Sequence, residues 1–87
     1  MAVRIVVVQR GWVHVGDVQR EGDEVVIRRA KTFRRWGTTK GLGQLYSGPT
    51  KNTILDEGGT IRLHPLMVVQ QYDVDEAAWA SHLGPAR

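Results

Sequence analysis

Residues 3–8 read Val-Arg-Ile-Val-Val-Val, and this run constrains the fold more than any other segment. Side chains along a strand alternate between its two faces, so a continuous β-branched run leaves neither face for water. The segment predicts a strand from Val3 to Val8 buried on both sides. In a domain of 87 residues the cover for the second face points to a subunit interface. A chain this short buries only about 60% of the surface that its unfolded form exposes. It contains no cysteine, so neither a disulfide nor a thiolate metal site can support a small core. Self-association is the usual remedy, and a homo-oligomer is expected.

The remaining pattern reads as a single domain over residues 1–87, with 84–87 as a frayed tail. Gln9-Arg10-Gly11 is a turn. Trp12 to Val18 alternates, with Trp12, His14 and Gly16 on one face and Val13 and Val15 on the other. After the turn at Glu21-Gly22-Asp23 come a third strand, Glu24 to Arg29, and a short fourth, Thr32 to Trp36. Thr38 or Thr39 can cap a short helix over Lys40 to Ser47, with Leu42 and Leu45 on its buried side and Gly48-Pro49 as the stop. Lys51 to Asp56 and Thr60 to Leu63 form a hairpin around Glu57-Gly58-Gly59. Leu66 to Tyr72 is a further strand. Asp73 or Asp75 caps a last helix through Leu83, with Trp79 and Leu83 on one face. The expected class is α+β: a mainly antiparallel sheet, twisted or barrel-like, with one inserted helix and one C-terminal helix.

Net charge is only +3, but the charges are unevenly spread. Between Val25 and Leu55 the chain has no acid and seven cations: Arg28, Arg29, Lys31, Arg34, Arg35, Lys40 and Lys51. One basic region is expected, and it attracts phosphates, nucleic acid or an acidic protein. Within it lies Arg34-Arg35-Trp36-Gly37-Thr38-Thr39-Lys40-Gly41-Leu42-Gly43-Gln44-Leu45. Backbone N–H groups of a glycine-containing turn that enters a helix form a positive concavity. Thr38, Thr39, Lys40 and Gly41 would hold a phosphate there. Arg34 or Arg35 would clamp it with a planar fork, and Trp36 would stack on a base. The competing reading is structural: Trp36 and Leu42 in the core, threonines as caps, glycines for close packing. The loop Ser47 to Thr53 has the same small polar character and could close over the site.

Catalytic patterns are missing. Ser47 and Ser81 occupy no nucleophile elbow, and His14, His64 and His82 match no zinc spacing. His14, beside Trp12, reads as a partly buried structural histidine rather than a base. The glycine spacing is neither a P-loop nor a dinucleotide fingerprint, because no Lys-Ser or Lys-Thr follows Gly41 and Gly41-Leu42-Gly43 runs into Gln44-Leu45-Tyr46. The expectation is a protein that is not an enzyme, with no cofactor and no metal. For a polymeric nucleic acid, no recognised binding motif is present and aromatic platforms are few. A compact anionic nucleotide is the better expected ligand, with nucleic acid or an acidic protein surface as the alternative partner of the basic face. The apolar run at the N-terminus is too short for a signal-peptide core or a membrane span, so no membrane partner and a cytoplasmic location are expected.

Three segments carry a resemblance: Gly11-Trp12-Val13-His14-Val15-Gly16, the W-G-T-T-x-G-L-G-x-L run from Trp36 to Leu45, and Gly48-Pro49. Together they resemble an uncharacterised family of small phage- and prophage-encoded proteins, over roughly Val3 to Tyr72. The resemblance brings no catalytic residues. It implies an inhibitor of bacterial defence working in the host cytoplasm. One class of such inhibitors acts as a sponge, an oligomer whose basic pockets sequester nucleotide immune signals such as cyclic ADP-ribose isomers or cyclic oligonucleotides.

Overall fold

In the computed structural model, which describes residues 2–85, the valine-rich run becomes β1, Ala2–Val8. A 3-10 turn at Gln9–Gly11 leads into β2, Trp12–Glu21. A tight turn at Gly22 and Asp23 leads on to β3, Glu24–Arg35. The fourth strand, β4, is Ile54–Leu63, and β5 is Val68–Asp73. The five strands make one sheet in the order β4-β3-β2-β1-β5, with every neighbouring pair antiparallel. The first four strands form a meander, and the fifth returns beside the first. The architecture is α+β.

Both faces of β1 are covered, and the cover comes from within the chain. On one face Ile5 packs with Val13, Val15 and Phe33 under Leu42, Leu45, Val74 and Trp79. These last residues belong to the helical segments and the strand-to-helix link, which roof this side of the sheet. On the other face Val6 and Val8 pack with Val18, Val25, Ile27 and Ala30. That face is closed by the sheet's own curl. Leu63 at the end of β4 and Val68 at the start of β5 both pack on this second cluster, although their strands are opposite edges. Residues 64–67, which include a 3-10 turn at Pro65–Met67, suffice to join them. The edges converge there, but β4 and β5 form no ladder among the described residues, so the sheet is curled rather than a closed barrel. Burial of the second face of β1 thus needs no subunit partner, contrary to the expectation from the run alone.

Two expected breaks are bulges instead. The predicted third and fourth strands are one strand, β3, which continues past Ala30-Lys31. Its register slips against β4 between Ile27 and Ala30, and Arg29 takes φ 55°. A bulge absorbs an extra residue without ending a strand, so the change in face that reads as a break in sequence is a local kink. The predicted hairpin at Glu57-Gly58-Gly59 is likewise the bulged middle of β4, with Gly59 opposite Ala30. A Cβ on Gly58 would lie 3.2 Å from the Ala30 carbonyl oxygen. The glycines there serve close strand passage, not a turn.

The helices are shorter than expected. The inserted one is a 3-10 helix at Leu42–Ser47, and Gly41, not a threonine, stands at its cap. Leu42 and Leu45 are buried as the spacing predicts. The C-terminal helix α1 is Glu76–Trp79, capped by Asp75, whose Oδ1 accepts from the Ala77 and Ala78 N–H groups. A 3-10 turn, Ala80–His82, replaces its predicted last turn. The Trp79 indole donates to the Leu45 carbonyl at 2.8 Å and meets Phe33 edge-on. The predicted frayed tail does not begin at Gly84, which is buried and donates its N–H to the Arg29 carbonyl at 2.8 Å. Residues 86–87 lie outside the described residues. No helix among those described is long and apolar enough to cross a membrane.

Candidate functional site

The segment from Arg34 to Gly41 leaves the end of β3 and crosses the loop that follows the 3-10 helix. Gly37 is clamped against that loop: the Thr50 hydroxyl donates to the Gly37 carbonyl and the Thr53 hydroxyl to the Trp36 carbonyl, each at 2.6 Å. Gly37 has φ 69°, and a side chain there would collide with the Asn52–Thr53 backbone. The two loops predicted to share a site are therefore fastened to each other, though by backbone anchoring and not by closure over a pocket.

The backbone concavity is present and occupied. The N–H groups of Thr39 and Lys40 both donate to Gln44 Oε1 at 2.8 Å, and the Thr39 hydroxyl approaches the same oxygen at 3.3 Å. Three donors converge on one acceptor, as they would on a phosphate oxygen. Sequence reasoning had singled out the donors and missed Gln44. Its signal was available, because Gln44 is the third residue after the cap Gly41, the position from which Gln or Glu reaches back to free N–H groups.

The two candidate clamps differ. Arg34 is held by Asp56, with Nε to Oδ2 at 3.1 Å and Nη2 to Oδ1 at 2.6 Å. This fork holds the Asp56 carboxyl below its ordinary range and raises Arg34. Arg35 points from the exposed strand end and has no ion pair among the described residues. The same pairing thins the whole basic window. Arg28 pairs with Glu21 at 2.6 Å, Lys31 pairs with Glu57, and Arg29 donates to the Gly84 and Ala80 carbonyls. The acids come from β2 and β4, outside the window in sequence and opposite it in the sheet. Arg35, Lys40 and Lys51 are left without a carboxylate partner among the described residues. Two aromatics in the same stretch of sequence are exposed, Trp36 at 43% and Tyr46 at 54%.

His14 is buried on the second face, with Nδ1 2.9 Å from the Thr32 hydroxyl. Burial pushes its pKa below the ordinary histidine value. It lies among sheet residues rather than beside the Thr38–Gly41 turn, in keeping with the structural role expected of it.

Two concave spaces lie away from this segment. A cavity of about 160 Å³ is lined by Val3, Asp17, Arg29, Glu76, Ala80 and Leu83. A shallower depression of about 390 Å³ lies at Arg20, Asp23, His64, Pro65 and Leu66. Neither includes a residue from Arg34 to Gly41. No protein-family model matches the chain, and no curated protein matches it in sequence.

Proposed function

We propose that the chain is a non-enzymatic binding protein that captures a phosphate-bearing nucleotide on the surface around Thr38, Thr39, Lys40 and Gly41. The observation that carries this reading is the convergence of the Thr39 and Lys40 donors on Gln44 Oε1. A phosphate oxygen would take the place of that amide oxygen, with Lys40 and Arg35 supplying charge and Trp36 a stacking face. Arg34 would add to the clamp only by leaving Asp56. The resemblance to small phage proteins supports an anti-defence role in the host cytoplasm, with the nucleotide an immune signal sequestered by a homo-oligomer. Incubation with candidate nucleotides, followed by heat denaturation, is expected to return intact ligand, whereas cleaved product would identify an enzyme. Arg35→Ala and Lys40→Ala are expected to weaken binding about tenfold each, the scale of one charge-assisted hydrogen bond. If both bind every tested nucleotide as the unaltered chain does, the site is misassigned.

One observation favours a second reading. Arg35, Lys40 and Lys51 have no carboxylate partner among the described residues, Trp36 and Tyr46 are exposed, and none of the five lines either of the two cavities described. A single-stranded nucleic acid could use such groups, phosphates on the cations and bases on the aromatics. That reading predicts affinity falling steeply with salt, in proportion to the phosphates engaged. A compact ligand gives a shallower slope.

A further inference from the structure

Trp12, Leu66, Met67 and Val69 are large apolar side chains left exposed at one corner of the sheet. Backbone pairing brings them there. Trp12 opens β2 and lies opposite Val8 of β1, and Val8 lies opposite Val68 of β5. The register between β1 and β5 slips at this point, because Val7 faces Gln70, so Val69 is the extra residue of a bulge beside Val8. Leu66 and Met67 complete the 3-10 turn that leads into β5. Gln9, next to Val8 in the chain, donates through Nε2 to the Leu66 carbonyl at 3.2 Å.

Val8 and Val68 pack into the second core cluster, whereas Trp12, Leu66 and Val69 remain 59%, 78% and 60% exposed. With Met67 they leave on the order of 500 Å² of apolar surface to water, as much as the largest patch on a typical monomer. Residues 9–12 and 65–72 contain no acid and a single cation, Arg10. Tryptophan and methionine with little charge is the composition of an interface core. An anionic lipid surface selects a cluster of cations, which this corner lacks. An uncharged patch offers a charged protein nothing to read, but it sets no like charges against each other when it meets itself. Two copies facing each other across a two-fold axis would bury about 1,000 Å², the lower limit for a specific interface. The depression of about 390 Å³ reaches the patch at Leu66 and has room for a large side chain from the other copy.

We infer that this corner is a two-fold interface with a second copy of the chain, with Trp12, Leu66, Met67 and Val69 at its centre and Arg10 at its rim. The partner suggested by the valine-rich run is thus met at the open end of β1, β2 and β5, not across the second face of β1, which the sheet covers itself. The inference does not rest on nucleotide capture, though it names the surface through which the homo-oligomer of that reading would form.

The test is analytical ultracentrifugation of the full chain without nucleotide, from about 1 to about 500 μM, the range in which an interface of this size assembles. A reversible passage from monomer to dimer mass is expected. Trp12→Glu and Leu66→Glu each place a charge on the patch and are expected to weaken the dimer about tenfold or more. The hydrogen bonds of Leu66 run through its backbone, so Leu66→Glu decides the matter if Trp12→Glu fails to fold. Ile54→Glu, at an exposed apolar position on the edge strand β4, is expected to leave the dimer unchanged. The inference is overturned by a monomer throughout the range, by a dimer that Leu66→Glu leaves intact, or by equal weakening in Ile54→Glu. Growth beyond the dimer also overturns it, because a two-fold patch closes at two copies. So does co-sedimentation with phosphatidylcholine–phosphatidylglycerol vesicles that Leu66→Glu abolishes, which would give the corner to a lipid surface. With nucleotide absent, each outcome bears on the interface alone and leaves the Thr38–Gly41 site to its own test.

Discussion

At the scale of single residues, what matters is whether a polar group finds its partner within the fold. His14 does, through Thr32, but in a setting that disfavours its charged form. Its folded pKa lies below its unfolded one, so the unfolded chain takes up the proton first as pH falls. Stability is therefore full above about pH 6.5, the ordinary histidine value, and declines as pH falls toward the lowered folded value. An NMR titration of the His14 ring is expected to show a midpoint below that of an unstructured histidine, and a midpoint at or above it contradicts the burial. His14→Asn should flatten the slope of stability in the same pH window. Gly37 makes a different demand. With φ 69° and the Asn52–Thr53 backbone against it, Gly37→Ala is expected to cost about 1–3 kcal/mol. Urea unfolding measures this, and a neutral result would mean that the two loops are not fastened there.

At the scale of elements, the short helical segments matter more than their length suggests. The 3-10 helix has two glycines in or beside it, at Gly41 and Gly43, and no side-chain cap, so propensity does not hold it. It is held through Leu42, Leu45 and the hydrogen bond from the Trp79 indole to the Leu45 carbonyl. Trp79 joins both helical segments to Phe33 of the sheet and is fully buried. Trp79→Ala is expected to cost about 3–5 kcal/mol, a large part of the stability of a small domain. Trp79→Phe keeps much of the packing but removes the indole hydrogen bond, leaving the Leu45 carbonyl with the Gly48 N–H alone, for a loss of about 0.5–1.5 kcal/mol. Denaturant midpoints should rank the two variants in that order, and the reverse order would mean that packing is not what seats the helix. The bulges in β3 and β4 belong to this scale too. Each looked like a break in the linear pattern, because a face change in a bulged strand and a face change at a turn leave the same trace in sequence.

For the molecule as a whole, charge is set by which strands meet. Arg28 with Glu21 and Arg34 with Asp56 join a basic sequence window to acids outside it, and both acids are held below their ordinary range, first by hydrogen bonds from their guanidinium partners. A depressed carboxyl stabilises the fold above its unfolded pKa and stops doing so as pH falls through the folded value. The chain is expected to lose stability below about pH 4, the carboxylate range, in addition to the histidine effect at higher pH. The pairs are solvent-facing, so added salt should shrink the acid-side loss. An acid slope indifferent to salt would mean that these pairs do not contribute.

The sequence by itself determined the strand content, the burial of β1 on both faces, the alternation along β2, the buried side of the 3-10 helix and an aspartate cap at Asp73 or Asp75, of which the structure uses Asp75. All of these rest on spacing within one segment, which physical periodicity makes readable. It also marked out the Thr39 and Lys40 donors. The tertiary structure decided three things that depend on meetings between distant segments. It covered the second face of β1 by curling the sheet, and it turned much of an apparent basic window into cross-strand ion pairs. It also brought Asp17 against the cavity beside α1. The alternation that placed Val13 and Val15 on one face already put Asp17 on that same face, so a carboxylate on the buried side was legible. That no donor reaches its Oδ1 was not, because hydrogen-bond satisfaction is settled only when every neighbouring element has packed.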